Sequence, residues 1–325
     1  MFTHIMRIGL LFFLSICGDL FCQNITFIIE STSRQKGLLV IPGLGRLDRM
    51  NTVVHNLRLL SKFFSNKSFR GVSLDCIAYI YAERQEENFW RMLNEESIIN
   101  SFCVLIENPN KLVIENLHNV EPALIHSHYD FVFILLDDCK LLNSTNSFFD
   151  LNKVLSLMAY NNLTVASPVV IGANKGGGQK FRKIMQSEKI PGKEGFITVF
   201  LELFAWVMTI PAYDIFWKLL TPSINPYGWG YDLWYYNFAV QRLPNHKMGV
   251  ITSVRAYHDQ NLTKAQRTDN THADQKWRAV RRQEAYFKRF HNVILKGFKP
   301  DTNSLISTTS GVAIGYIESP PNVVT

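Results

Sequence analysis

The stretch Tyr129-Asp130-Phe131-Val132-Phe133-Ile134-Leu135-Leu136-Asp137-Asp138-Cys139 limits the fold more than any other. Its apolar run is unbroken. A strand with one face in water alternates, so this one reads as a central strand covered on both faces. The run stops at two adjacent carboxylates. Open α/β sheets bind ligands outside the carboxyl ends of their strands. Asp137 and Asp138 therefore fall where a site is expected.

The rest of the chain supplies the layers such a strand needs. Apolar runs at 36–43, 73–82, 103–107 and 163–170 read as further strands, and 248–259 as the last one. Helical spacing is read at 51–64, 149–160, 211–220 and 271–290, with a polar helical piece at 86–101 and a helix before His126. The strongly apolar segment 195–210 is either two strands or one bent strand, with Glu202 as a lone buried carboxylate. Strands alternating with helices argue for one α/β domain. At 325 residues the chain is long enough to bury a proper core.

The first 22 residues read as a leader. Arg7 precedes an apolar core of about ten residues, short for a spanning helix. It is either a signal peptide or a short signal anchor in the membrane, and both imply entry to the secretory pathway. Five sequons, at Asn24, Asn66, Asn143, Asn162 and Asn261, agree with a lumenal glycoprotein. Outside the leader, Cys76, Cys103 and Cys139 allow one disulfide plus a free thiol, or three buried free cysteines, which is the preferred reading. The tail at 301–325, rich in Ser, Thr, Pro and Gly, reads as flexible.

A net charge of +7, concentrated around Arg278, Arg281, Arg282, Lys288 and Arg289, suits anionic ligands. No nucleic-acid-binding module is recognisable, so nucleic acid is not the expected partner. A hydrolase is disfavoured by the lack of a G-x-S-x-G nucleophile elbow. A basic loop with three glycines, 176–183, is read as exposed, and Gly43-Leu44-Gly45-Arg46 after the first strand as a weak phosphate cradle.

The second landmark is Asn225-Pro226-Tyr227-Gly228-Trp229-Gly230-Tyr231-Asp232, a glycine-kinked aromatic loop ending in a carboxylate. A helix is expected to start just after Asp232. The last strand closes on His258. Two carboxylates and an imidazole at element ends suit Mn2+ or Mg2+ on a diphosphate. A further carboxylate would take the proton of an acceptor hydroxyl.

The layout resembles the GT-A nucleotide-diphospho-sugar transferases. The acidic pair after the apolar run is similar to their D-x-D-type motif, although a strict second acid would fall on Cys139. Gly228-Trp229-Gly230-Tyr231-Asp232 resembles the G-W-G-x-[DE] acceptor loop of inverting galactosyl- and N-acetylgalactosaminyl-transferases. The pattern is closer still to a plant, algal and invertebrate family with an apolar-LDD strand, an SP strand like Ser167-Pro168 and an NP-x-GWG-x-D loop. The resemblance covers 36–295. It implies a Rossmann-like three-layer α/β/α sandwich with a mainly parallel central sheet. It also implies a Golgi or ER-lumenal, or secreted, glycosyltransferase of the hexosyl- or N-acetylhexosaminyl-transferase type. This would be metal-dependent and inverting, with a nucleotide sugar as donor and a glycan as acceptor. Asp232 becomes the catalytic base; Asp137, Asp138, Gly43 and Arg46 hold the donor; Trp229, Gly230 and Tyr231 hold the acceptor; Asp138 and His258 hold the metal. The alternative is a carbohydrate-binding protein on the same fold that has lost catalysis.

Overall fold

The computed structural model describes residues 34–64, 69–144, 147–172, 191–258, 270–291, 306–307 and 312–320. The leader, the basic loop at 176–183 and three of the five sequons lie outside them. Among the described residues no helix is long and apolar enough to cross a membrane. The two described sequon asparagines, Asn143 and Asn162, are both exposed.

The strands are β1 (Gln35–Leu44), β2 (Val72–Ile80), β3 (Cys103–Glu107), β4 (Phe131–Leu135), β5 (Cys139–Leu141), β6 (Asn143–Ser144), β7 (Ser147–Phe148), β8 (Val165–Ile171), β9 (Lys193–Thr198), β10 (Ala205–Thr209), β11 (Met248–His258), β12 (Ile306–Ser307), β13 (Val312–Ala313) and β14 (Gly315–Glu318). The main sheet has the order β14-β9-β11-β8-β10-β4-β1-β2-β3, with β5 pairing β11 at one end. Strands β1 to β4, β8, β11 and β14 run one way, and β5, β9 and β10 run the other. The sheet is thus mainly parallel, and the segment at 195–210 forms two strands of it.

Helices cover both faces, as the apolar run of β4 requires. Leu39, Ile41, Phe131, Phe133 and Leu135 point to one core, together with α1 (Leu47–Leu60), α2 (Glu87–Glu95), α3 (Ser97–Phe102) and α6 (Leu151–Asn161). Leu38, Val40, Val132 and Ile134 point to the other. That side carries α4 (Val113–His118), α5 (Pro122–Ile125), α7 (Ile210–Leu219), α8 (Tyr231–Val240) and α9 (Asn270–Phe290). All five residues of β4 are buried. This is the expected Rossmann-like three-layer α/β/α sandwich with a mainly parallel central sheet.

Strand order fixes where the site lies. From β1 the chain moves outward through β2 to β3, then returns to place β4 on the other side of β1. The order reverses at the carboxyl ends of β1 and β4, the place where open α/β sheets bind ligands. Gly43-Leu44-Gly45-Arg46 leaves one of these ends and Asp137-Asp138 the other.

Two expectations need correction. Cys76 and Cys103 are not free thiols: they are register partners on neighbouring parallel strands and form a disulfide, while Cys139 is free and buried. The bridge closes 27 residues. Replacing both cysteines by serine is expected to cost about 3 kcal/mol, read as a lower urea midpoint, with no further loss on adding reductant. An unchanged midpoint would show that the bridge adds nothing to the sheet edge. The tail at 301–325 is also not wholly unstructured. Gly315–Glu318 adds an edge strand antiparallel to β9, and Ile306–Ser307 pairs with Val312–Ala313. Composition misses this because edge pairing depends on a distant partner.

Candidate active site

A proline in β8 helps deliver His258 to the acidic pair. Pro168 has no N–H to give the ladder. Beside it the β8–β11 register slips: Pro168 pairs with Ile251, and the next pair is Val169 with Arg255. Past the slip β11 continues and pairs with β5, setting His258 opposite Cys139. His258 Nε2 then lies 3.4 Å from Asp138 Oδ2. The Phe204 ring stacks on the imidazole at 4.2 Å.

Helix α1 holds the acidic loop from the other side. The buried Asn56 amide donates to the Cys139 carbonyl at 2.8 Å and accepts from the Leu141 N–H at 2.8 Å, standing in for a neighbouring strand. Two helical turns earlier, on the same face, Arg49 donates to Asp137 Oδ1 at 2.7 Å. Its second terminal nitrogen is 3.5 Å from Asp138 Oδ2. Arg49 was not singled out in the sequence. A signal was present: residues 49, 53, 56 and 60 share one helical stripe, and Val53, Asn56 and Leu60 on it are buried. An arginine there must meet an acid.

Asp137, Asp138 and His258 are each at least nine-tenths buried. Burial pushes the Asp137 carboxyl up to about 7, against the pull of Arg49 and with the push of Asp138. Burial also acts to raise Asp138. It is outweighed by the hydrogen bond and charge of His258 and by Arg49, so Asp138 is held below its ordinary value. The two carboxyls differ accordingly: Asp138 is held as the anion, and burial makes Asp137 the one of the pair that keeps a proton more readily.

The β1 end is built by close approach. A Cβ on Gly45 would meet the Tyr81 ring at 2.5 Å and the Ala82 backbone nitrogen at 2.7 Å. The buried Asn116 amide donates to the Pro42 carbonyl at 2.9 Å, pinning the turn. Arg46 pairs with Asp48 through its Nε at 3.0 Å. It is near enough for its charge to act on Asp137. Burial, then the Asp137 charge, raise the Tyr81 hydroxyl well above its ordinary value. Arg46, Arg49 and Tyr81 thus flank the acidic pair, and Gly43 and Gly45 sit behind Tyr81.

The aromatic loop is placed differently from the expectation. Helix α8 starts at Tyr231, so Asp232 lies inside its first turn rather than before it. That end of a helix favours an acid. Gly230 caps the helix at φ +91°, a conformation suited to glycine. Tyr231 cannot line a sugar site: it is fully buried, and its hydroxyl donates to the Asn225 carbonyl at 2.7 Å. The left-handed turn at Gly230 directs its ring into the core. Trp229 is exposed, edge-on to Trp277 at 5.7 Å and with Lys276 over its ring at 4.9 Å. Two groupings result. Asp137, Asp138, His258 and Arg49 are in contact, with Arg46 and Tyr81 beside them. Trp229, Gly230 and Asp232 belong to the loop and helix packed between α7 and α9.

The donor set suits a hard cation only in part. Among the described residues no group of three or more His, Cys, Asp and Glu side chains is placed to hold a metal ion. Yet Asp137 Oδ2, Asp138 Oδ1 and His258 Nδ1 are buried without a hydrogen-bond partner. Buried polar atoms of this kind ordinarily find one. Asp138 and His258 offer the carboxylate and imidazole that Mn2+ accepts.

No protein-family model matches the chain, and no curated protein does. Among solved structures it is similar to GalNAc-T7 with UDP, GalNAc and Mn2+, at 9% identity and a TM-score of 0.46. That match covers 70% of this chain and 44% of the other, so the chain spans less than half the length of that protein. UDP-glucose pyrophosphorylase complexed with UDP-glucose matches at 10% identity and a TM-score of 0.41, over 78% of this chain and 99% of the other. A putative glucose-1-phosphate thymidylyltransferase from Bacillus anthracis matches at 9% identity and a TM-score of 0.39, over 73% and 96%. Likenesses this distant say nothing about the residues of the site.

Proposed function

We propose that this chain is a glycosyltransferase that moves a sugar from a nucleotide-diphosphate donor to a glycan hydroxyl. The observation that carries the reading is the buried Asp137–Asp138 pair at the carboxyl end of β4, joined by His258 from β11 and lying beside the β1 turn. A nucleoside diphosphate brings two or more negative charges to such a place. It needs cations there, and Arg46 and Arg49 are two of them.

A divalent cation, Mn2+ or Mg2+, would be held by Asp138 and His258. Such ions are commonly bound by one or two carboxylates, with phosphate oxygens and waters completing the shell. Two protein ligands suffice for that mode. The ion would supply charge neutralisation on the departing diphosphate. Asp138, ionised at neutral pH, is the natural ligand. Asp137, pushed up to about 7, is suited to hydrogen-bond a donor hydroxyl as either proton donor or acceptor. Trp229 would present its exposed face to the acceptor, and Asp232 would take the acceptor's proton in an inverting displacement. The secretory pathway, in the Golgi or ER lumen or outside the cell, is part of the same proposal; the leader-like first 22 residues and the five sequons support it.

One observation favours a second reading, a carbohydrate-binding protein without transfer. Arg49 already sits on both carboxylates and supplies a positive charge where a metal would. The two readings separate in a thermal-shift screen of UDP-, GDP- and CMP-sugars with and without Mn2+. Binding to the folded state raises the midpoint by mass action. The transferase reading expects a Mn2+-dependent rise with one nucleotide class. No rise with any nucleotide, alongside a rise with free oligosaccharide, would sink it in favour of the second.

A further inference from the structure

We infer that the groove between the Tyr227 loop and helix α9 binds the acidic groups of an anionic saccharide, carboxylate or sulfate. Its use as the acceptor subsite rests on the transferase reading above; the binding does not. The groove encloses about 730 Å3 and is lined by Tyr227, Gln275, Arg278, Arg281, Arg282 and Ala285. Positions 275, 278, 282 and 285 fall on one stripe of the helix, with Arg281 at its border. The three arginines are exposed, and none makes an ion pair with a described residue. Three unpaired guanidinium groups on one concave face repel each other unless an anion joins them.

The groove is also fixed in place. The buried Gln283 side chain donates to the Leu219 carbonyl at 3.0 Å and accepts from the Asn225 amide at 2.7 Å. The same Asn225 amide donates to the Trp229 carbonyl at 3.0 Å. Tyr231 closes the network on Asn225. Val280 packs where Gly230 leaves no room for a side chain. Loop and helix are therefore joined by this network, with Tyr227 and the three arginines lining the groove between them. Guanidinium groups bind carboxylates and sulfates through paired N–H donors. Tyr227 in the groove offers a flat ring, and the exposed Trp229 and Trp277 stand next along the loop and helix. Charged forks with amphipathic rings are the chemistry of an acidic sugar rather than a neutral one.

The test uses the full chain and three hexasaccharides: heparin-derived (sulfate and carboxylate), hyaluronan-derived (carboxylate only) and chitohexaose (neutral). Binding is measured by calorimetry at two salt concentrations. At least one acidic saccharide is expected to bind, more weakly at high salt, and chitohexaose at least about 10-fold more weakly. Binding of the heparin but not the hyaluronan probe assigns the groove to sulfate, and binding of both assigns it to carboxylate as well. The variant Arg278→Gln/Arg281→Gln/Arg282→Gln is expected to weaken the acidic ligand by about 100-fold or more. The charge-matched variant Arg58→Gln/Arg84→Gln/Arg91→Gln should bind within about 2-fold of wild type, which separates the groove from net charge. Equal binding of chitohexaose, equal loss in the two triple variants, or tighter binding of a single-stranded oligonucleotide of matched charge would overturn the proposal. Nucleoside-diphosphate binding with Mn2+ is measured on the same samples. If it is absent while the groove behaves as described, the transferase reading fails and the groove stands.

Discussion

Asp138→Asn is expected to abolish Mn2+-dependent donor turnover, by about 10³-fold or more in kcat/KM, while the protein stays folded. The substitution keeps the shape of the side chain and removes its charge. Of the two buried carboxyls, Asp138 is the one held ionised, by His258 and Arg49, so its loss removes the anion that a cation would seek. Its contact with His258 at 3.4 Å also sets the orientation of that ring. Both candidate metal ligands therefore suffer from one change. Asp232→Asn provides the contrast: it should lower transfer by about 10²- to 10⁴-fold and leave nucleotide binding intact. Single-turnover assays with radiolabelled donor, paired with nucleotide calorimetry, distinguish the two. Normal turnover by Asp138→Asn would show that the acidic pair is not the donor site.

Arg49→Met is expected to destabilise the metal-free protein by about 3–5 kcal/mol at pH 8, the cost of leaving a buried ion pair without one partner. Two adjacent carboxylates would remain under α1 with no cation from that helix. The loss should shrink at pH 5, because Asp137 can then take a proton. The sign for wild type follows from the same group. Asp137 titrates near 7 in the folded chain, above its ordinary 3.8. Between these values the unfolded chain has released a proton that the folded chain retains, so Asp137 makes stability fall as pH rises from about 4 to about 7. Asp138 acts in the opposite sense: its depressed value contributes stability above its ordinary range that is lost on acidification. Asp137→Asn should flatten the decline between pH 4 and 7, and Arg49→Met/Asp137→Asn should recover much of what Arg49→Met loses. Urea unfolding at pH 5 and pH 8, with chelator present, reads all four proteins. An Arg49→Met midpoint equal to wild type at pH 8 would show that the pair contributes nothing.

Much of the sheet was legible because local pattern and burial agree. The unbroken run of β4 forces cover on both faces, and both faces are covered. Asp137, Asp138 and His258 could be singled out because the buried apolar run and the last strand lead into them, and the structure brings Asp138 and His258 into contact beside Asp137. What stayed hidden depended on register and on turns. The Cys76–Cys103 bridge follows from which residues of β2 and β3 stand opposite, and no spacing along the chain encodes that. Tyr231 looked like a sugar platform beside Trp229, but one left-handed residue, Gly230, turns the first inward into a buried network and leaves the second exposed. Arg49 was written into the stripe of its helix, yet its partner lies 88 residues away. Asn56, on the same stripe, shows the same thing from the other side: a buried amide on a helix has to serve some backbone, and here it serves β5.

The most direct test of the site is a crystal structure of the chain soaked with Mn2+ and the nucleoside diphosphate that raises its midpoint most. The account predicts an anomalous Mn2+ peak within bonding distance of Asp138 and His258, with the diphosphate between the ion and the β1 turn. A peak elsewhere, or nucleotide density away from the ends of β1 and β4, would contradict it.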